Sequence, residues 1–476
     1  MREKCGLVGI KSYRNENVIP KVIYCLRALQ HRGQEAWGIA IANREPFRRE
    51  GLVTDDPKAL KYVYDNYKAS TSLGHVRYST VGKSNIKNAQ PLPIGKEFFI
   101  IHNGTICNVD DLASEVKEDF ILPDWANDTY IVGCRLLQLL RKRVFDWYSA
   151  LEDLITELNG AYNFIFLTKD NNIYALRDER GFRPLCLGYH RESESYIVAS
   201  ESCALDVVDA NLIRDINPGE VIKLDKDGLS SIQLVKSDFH AHCSFEYIYF
   251  AHPSSIIEGI SVYEARKRVG RELGKLYGGL GDIVIPVPDS ARPAATGYSL
   301  ETNLPLEEGL MKDRYGKRGG IRGFIQPFKK QRIDIAKWIT PIKRVVEGKD
   351  IVLIDDSIVR GTSSKAIVKS LRKAGTKKIN LLVTFPPIRY PCYMGIDFPT
   401  QKELIAYKVA KDEDDILKIN EKVKKVLGVD FLGYNNQKSL CKSLGLPFNE
   451  LCLSCTTGDY ACLRAKPKYS LRMKKV

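Results

Sequence analysis

The sequence predicts two unlike units in tandem. The first is a mixed α+β unit with two antiparallel sheets and helices outside them. The second is an α/β unit with a mostly parallel sheet covered on both faces. Three observations predict this. Early strands are joined by a tight turn, as in "AYNFIFLTKDNNIYALRD" (161–178), with Asp170, Asn171 and Asn172 at its centre. Later strands are continuous apolar runs, as in "DIVIPVP" (282–288) and "KDIVLIDD" (349–356). In that second half, strands and helices alternate, which brings successive strands parallel.

Each element follows from its local pattern. "VIPKVIYCLRALQHRGQ" (18–34) carries Val22, Leu26 and Leu29 at helical spacing, and "GIAIAN" after it reads as a short apolar strand. "TYIVGCRLLQLLRKR" (129–143) is a helix whose basic last turn suits its dipole. "SVYEARKRVGRELGKLYGG" (261–279) is a helix that ends at glycines. "SSKAIVKSLRKAG" (363–375) is the helix after the 349–356 strand, and "KINLLVTFPP" (378–387) is the next strand. The rhythm changes near residues 230–245, which gives units 5–235 and 236–476 after a short leader, 1–4.

Composition narrows the class. The chain has 476 residues, enough for two or three cores, and 44% hydrophobic with 27% charged residues is ordinary for a globular protein. No run approaches the ~18 apolar residues of a spanning helix, and the start lacks an apolar signal region. A cytoplasmic protein without a membrane partner is expected. The net charge of +14 suits anionic partners. It is dense in 312–344 and in the tail "RAKPKYSLRMKKV", yet no nucleic-acid module accompanies it, so nucleic acid is disfavoured. Twelve cysteines without a secretory context point to metal, cluster, catalytic or buried thiols rather than disulfides.

Two stretches carry chemistry. "MREKCGLVGI" places Cys5 before a small apolar run. Cys5 is either a small core hydrophobe or, after loss of Met1–Lys4, a new N-terminus. In the second case its α-amine, with a pKa of roughly 8, stands beside its own thiol as a base. "IVLIDDSIVRGTSS" (351–364) is a strand ending in Asp355 and Asp356, then a loop opening a helix. Hydroxyls, Gly361 and consecutive N–H groups at the helix start suit a phosphate monoester. The two carboxylates would repel phosphate but accept hydrogen bonds from ribose hydroxyls or hold Mg²⁺. A sugar phosphate satisfies both halves of the loop; an acid pair capping a helix is the plainer alternative.

"VLIDDSIVRGTSS" resembles the phosphoribosyl-diphosphate motif of the type I phosphoribosyltransferases. More narrowly, the chain resembles the glutamine phosphoribosylpyrophosphate amidotransferase family over nearly its whole length. The similarity runs through "KCGLVGI", "LQHRGQEAWGIA", "GHVRYST", "IHNGTICN", "FEYIYFA", "IPVPDSARPAA", "PPIRYPCYMGID" and "CLSC", in that order. It implies an N-terminal-nucleophile glutaminase fold, four layers deep (αββα), joined to a type I phosphoribosyltransferase unit with a C-terminal cluster-binding segment. It implies that Met1–Lys4 is removed and that Cys5 attacks glutamine. Asn103 and Gly104 would then supply the oxyanion donors. Arg77 would grip the α-carboxylate with help from Thr80, and Asp128 the α-ammonium. His75 and His102 flank these motifs as structural residues.

The resemblance further implies that the released ammonia displaces pyrophosphate from phosphoribosyl diphosphate, giving phosphoribosylamine in the first step of purine synthesis. Ammonia is mostly protonated in neutral water, so a dry path explains why one chain would hold both sites. Asp355, Asp356, Ser357, Arg360, Gly361, Thr362 and Ser363 would bind phosphoribosyl diphosphate. Mg²⁺ would sit at Ser290, Asp355 and Asp356. The basic segment 312–332, with Lys317, Arg318, Arg322, Lys329 and Lys330, matches the family's closing loop.

"CLSC" is a C-x2-C pair, a spacing at which two thiolates can share a metal or cluster. The resemblance places Cys243, Cys392, Cys452 and Cys455 as ligands of a [4Fe-4S] cluster, with structural zinc the chemical runner-up. Cys25, Cys107, Cys134, Cys186 and Cys203 are expected in cores, and Cys441 and Cys462 near the C-x2-C pair. A homotetramer inhibited by purine nucleotides is the family expectation. The chain departs from the family pattern at His252 and Ser254, at Asp313 and in "KWITP". These departures leave an alternative: a catalytically impaired paralogue that senses phosphoribosyl diphosphate or nucleotides.

Overall fold

The computed structural model describes residues 5–78, 86–312, 339–396, 398 and 400–463. The predicted leader, Thr80, most of the 312–332 segment with its five named cations, Asp313 and the basic tail lie outside the described residues.

In chain order, the strands of the N-terminal half are β1 (Gly6–Ser12), β2 (Ala36–Ala40), β3 (Phe47–Glu50), β4 (Thr71–Arg77), β5 (Leu92–Ile94), β6 (Phe98–Ile106), β7 (Gly160–Thr168), β8 (Ile173–Arg177), β9 (Cys186–His190), β10 (Ser195–Ala199), β11 (Asn211–Asp215), β12 (Glu220–Asp225) and β13 (Gly228–Gln233). They build a seven-stranded sheet in the order β11-β9-β10-β1-β4-β2-β3 and a six-stranded sheet in the order β13-β12-β8-β7-β6-β5. All their pairings are antiparallel.

Side-chain alternation sets the layers, because successive residues of a strand face opposite sides. Leu7 packs between the sheets with Ile101, Ile165 and Val198. Its neighbour Val8 faces the other way, onto Val22 and Leu26 of the helix Ile19–Ala28. On the second sheet, Ile100, Phe164 and Phe166 pack against Val132, Leu136 and Leu140 of the helix Asp128–Lys142. The order is helix, sheet, sheet, helix, as the resemblance implies. The helix Asp128–Lys142 starts where the Asn127 side chain accepts from the Tyr130 N–H, and ends in Arg141 and Lys142.

The C-terminal half holds a four-stranded sheet of Ile283–Pro286, Asp350–Asp355, Lys378–Val383 and Phe431–Tyr434, in that spatial order and all parallel. Val352 and Ile354 face the helices Val262–Leu276 and Arg292–Thr302 through Leu273, Ala295 and Tyr298. Ile351 and Leu353 face the helices Thr362–Lys373 and Ile416–Leu427 through Ile367, Leu371 and Val423. Both faces are covered, which is why this strand carries no polar alternation.

The two halves meet along a buried seam, where Arg32 and Arg183 bond to Glu246. His242 and Cys243 pair in parallel with Leu451 and Cys452, which ties residues 451–452 to the start of the second half. Among the described residues, no helix is long and apolar enough to cross a membrane.

Candidate functional site

Three groups of side chains gather as the motifs suggest. The first surrounds Cys5. This residue lies just before β1 and is fully buried. Its backbone N–H donates to Asn103 Oδ1 at 3.2 Å. Asn103 is on β6, fully buried, and its Nδ2 has no hydrogen-bond partner among the described residues. A buried amide donor without a partner is costly, and it is free for an acceptor that arrives with a ligand. Gly104 follows at φ +148°.

Arg77 ends β4, one residue beyond the Gly6–Val76 pair of β1 and β4, which brings it to Cys5. It is 7% exposed, and its Nε also lacks a hydrogen-bond partner among the described residues. Asp128 opens its helix against the end of β6: Oδ2 accepts from the Ile106 N–H at 3.5 Å and Oδ1 from the Thr129 N–H at 2.9 Å. A buried arginine, a buried aspartate and an unpaired amide donor thus lie on or beside β4 and β6, the strands that reach Cys5.

The two flanking histidines are held by other groups. Burial lowers the His75 pKa to about 3, and His75 Nε2 lies 3.3 Å from the His102 carbonyl. Burial also lowers the His102 pKa, and its Nδ1 meets Thr129 Oγ1 at 3.1 Å.

The second group is the loop after Asp350–Asp355. Asp355 and Asp356 are 9% and 7% exposed. The Asp356 N–H donates to Asp355 Oδ1 at 2.9 Å, and the Ser357 hydroxyl to Asp356 Oδ1 at 2.7 Å. Ser290, from the loop after Ile283–Pro286, donates to Asp356 Oδ2. Burial, then the neighbouring Asp356, holds the Asp355 carboxyl well above its ordinary range. Gly361 takes φ +73° to turn the chain into the helix Thr362–Lys373, where Thr362 and Ser363 form the first turn. Arg360 is directed elsewhere in this structure, with Nε donating to Glu403 at 2.9 Å.

The third group lies on the seam. Cys243 faces Cys452 in the short parallel pairing. Cys243, Cys392 and Cys455 share one apolar cluster, and Cys392 and Cys452 share the adjoining one. Each thiol's pKa is raised: by burial for Cys243 (to about 12), Cys392 and Cys455, and first by its hydrogen bond to Cys462 for Cys452. The proximity of the other thiols adds to every one of these shifts. Among the described residues, no group of three or more His, Cys, Asp or Glu is placed to hold a single metal ion.

The remaining cysteines lie where expected. Cys107 packs against a buried apolar cluster on the seam, where its Sγ reaches the Tyr393 carbonyl at 3.3 Å. Cys441, on the helix Gln437–Leu444, packs against the cluster that holds Cys243 and Cys455, and Cys462 bonds to Ser454 beside Cys452.

Pattern reading missed a set of buried charges beside these groups. Arg32 Nε donates to the Cys5 carbonyl at 3.0 Å. Its Nη1 also donates to Glu201, and its Nη2 to Glu246 Oε1 at 2.9 Å. Glu201 further accepts from His252 N–H at 2.7 Å and from the Ser255 hydroxyl at 2.8 Å, and is held well below its ordinary pKa against burial by His31 and Arg32. The departure at His252 therefore touches this charge set through its backbone. A signal existed: Glu246 is the one charge in "SFEYIYFA", and a lone acid in an apolar run needs a partner.

Residues 75–207 match a family model described as a glutamine amidotransferase domain. An amidophosphoribosyltransferase of Methanocaldococcus jannaschii is 40% identical, covering 96% of this chain and 97% of its own. One from Methanothermobacter thermautotrophicus is 38% identical, covering 97% and 95%. A solved glutamine phosphoribosylpyrophosphate amidotransferase from B. subtilis, complexed with ADP and GMP, superposes with a TM-score of 0.82 at 34% identity, over 96% of this chain and 97% of that one. A solved allosteric regulatory enzyme of purine biosynthesis gives a TM-score of 0.84 at 33% identity, over 98% and 97%.

Proposed function

The chain belongs to the amidophosphoribosyltransferase family of glutamine-dependent enzymes, which serve the first step of purine biosynthesis, and from that premise we propose how its own residues divide the work. The Cys5–Asn103 contact carries the reading: it sets a buried thiol residue against an amide whose donor end is unclaimed.

Removal of Met1–Lys4 turns the Cys5 amide nitrogen into an amine. That amine takes the thiol proton as sulfur attacks the glutamine amide carbon. Asn103 Nδ2 and the Gly104 N–H receive the oxyanion. Arg77 pairs with the substrate's α-carboxylate, with Thr80 assisting, and Asp128 with its α-ammonium. Collapse, with the α-amine returning its proton to the departing nitrogen, expels ammonia and leaves a thioester; water hydrolyses it to glutamate and restores the thiol.

Ammonia then attacks C1 of phosphoribosyl diphosphate, the C1–oxygen bond breaks, and pyrophosphate leaves. The loop Ser357–Ser363 with the helix start cradles the 5-phosphate, and Asp355 and Asp356 hold the ribose hydroxyls, which fixes C1 for in-line attack. Arg360 joins this set once it leaves Glu403. The two buried carboxylates and the Ser290 hydroxyl form an oxygen donor set that fits Mg²⁺; when bound, the ion offsets the charge of departing pyrophosphate.

The four seam cysteines fit a [4Fe-4S] cluster. The donors are soft thiols in adjoining apolar clusters, the ligand type that iron–sulfur chemistry takes. Structural zinc, which takes the same ligand type, is the runner-up. When bound, the cluster tethers the C-terminal segment to the seam. Purine nucleotides as inhibitors, a homotetramer and a cytoplasmic site complete the reading.

The test follows glutamate and pyrophosphate together, with glutamine, phosphoribosyl diphosphate and Mg²⁺, and again with ammonia replacing glutamine. Coupled release in both assays supports the two-site reading. Release of neither product despite ligand binding overturns it. Intact mass reports removal of the four leading residues, and a brown colour in protein made without oxygen reports the cluster.

A further inference from the structure

Between Cys5 and the seam cysteines runs an unbroken line of buried charge. Arg183 is 1% exposed. Its Nη1 donates to Glu246 Oε1 at 2.9 Å and its Nη2 to the Met394 carbonyl at 2.6 Å. Its Nε has no hydrogen-bond partner among the described residues.

Two of the four cysteines bond to residues beside Arg183, Cys243 through its backbone and Cys392 through its sulfur. The Cys243 N–H donates to the Phe182 carbonyl at 3.1 Å. The Met394 N–H, whose own carbonyl takes Arg183, donates to Cys392 Sγ at 3.3 Å. Buried as it is, Arg183 finds its charge partner in the Glu246 carboxylate that it holds. On the far side, Glu246 is held by both guanidinium nitrogens of Arg32, at 2.9 and 3.1 Å, and Arg32 Nε holds the Cys5 carbonyl.

Such a line costs desolvation, and apolar residues of similar volume often stabilise as well or better. Stability is therefore a poor reason for it. Its ends are a better one.

We propose that Arg183 is a positioning residue coupling the four-cysteine centre to the nucleophile: it is the fixed counter-charge of the cluster, and through Glu246 and Arg32 it governs how firmly the Cys5 backbone is held. This rests on the [4Fe-4S] reading above. Arg183 divides its charge between the anionic cluster and Glu246. A change of charge on the cluster alters its hold on Glu246, and with it the grip of Arg32 on Cys5. In a water-excluded seam the effect is weakly screened. A nearby fixed cation also favours the more negative state of a cluster, so it raises the reduction potential.

The experiment uses full-length protein prepared without oxygen, as wild type, Arg183→Gln and Arg183→Lys. Two quantities are read: the reduction potential of the cluster, and the rate at which a diazoketone analogue of glutamine alkylates Cys5. In Arg183→Gln the potential falls and alkylation slows by about fivefold or more, the lower end of coupling between sites. In Arg183→Lys the charge remains, so the potential recovers. Alkylation stays slow, because one ammonium cannot reproduce the fork to Glu246 and Met394. A Gln variant with the wild-type potential and alkylation rate overturns the coupling.

Should the Gln variant not fold, wild type alone decides. Its alkylation rate is compared before and after chemical reduction of the cluster. A severalfold difference supports the coupling, and equal rates overturn it. Colourless, iron-free wild type overturns the cluster reading and the coupling together, whereas coloured protein with an indifferent Cys5 overturns the coupling alone.

Discussion

A Cβ placed on Gly104 would lie 1.9 Å from the carbonyl oxygen of Ala161 on the neighbouring strand β7. With φ at +148°, the position excludes side chains on two independent grounds. Gly104→Ala is expected to force β6 and β7 apart, at a cost of ~1–3 kcal/mol for overpacking alone. The strand shift carries Asn103 with it, so glutamine-dependent turnover falls while ammonia-dependent turnover persists. Glutamate release and a urea midpoint measure the two effects.

The thiol and its donor separate cleanly. Cys5→Ala is expected to abolish glutamine-dependent turnover and to spare turnover with ammonia. Asn103→Ala is expected to lower the glutamine-dependent kcat by ~10²–10³, the usual loss for one oxyanion donor, with a much smaller change in KM. Steady-state kinetics on both nitrogen sources check this; loss of both activities in Cys5→Ala counts against separate sites.

Asp355 sets binding against stability. Its carboxyl is pushed up first by burial and then by Asp356. A raised folded pKa favours the fold at low pH and loses that contribution as pH rises. At neutral pH the charged pair is therefore a liability in the absence of ligand. Asp355→Asn is expected to raise the Tm of ligand-free protein at pH 7 while losing Mg²⁺-dependent binding of phosphoribosyl diphosphate. Differential scanning fluorimetry with and without the ligand reads both.

Asp215 gives a pH dependence away from the sites. Burial, then repulsion from Glu258, raises its pKa to about 6, against roughly 3.9 for an unfolded chain. The folded state thus keeps a proton that the unfolded state releases. Asp215 supports the fold below pH ~4, and that support disappears as pH rises through about 6. Asp215→Asn is expected to be more stable than wild type at pH 7.5, with an advantage that shrinks towards pH 4.5. Paired melting curves at the two pH values test the sign.

Among the C-terminal thiols, only those of the seam group are expected to matter for colour. Cys452→Ser should remove visible absorbance from protein made without oxygen. Cys441→Ser, at a position the resemblance does not place among the four ligands, should keep it. Iron and sulfide content measured beside the spectrum distinguish cluster loss from misfolding.

Most of the architecture was legible in the chain itself, because it is written in local patterns. The run Ile351–Ile354 announces a strand covered on both faces, and Asp355, Asp356 and Gly361 at its end announce a loop for a phosphorylated ligand. The residues around Cys5 were legible through motif order, although Asn103 stands 98 positions away. What only the tertiary structure decided is which buried charges answer one another. Arg32 and Glu246 are 214 residues apart, and Arg183 and Met394 are 211. Periodicity reports how a residue sits on its own helix or strand, over a few residues. A buried ion pair is settled by which surfaces exclude water together, and that emerges only when the sheets, the helices and the seam have closed on each other. The same holds for Cys107, whose meeting with the Tyr393 carbonyl, 286 residues on, is decided by the seam passing at the end of β6.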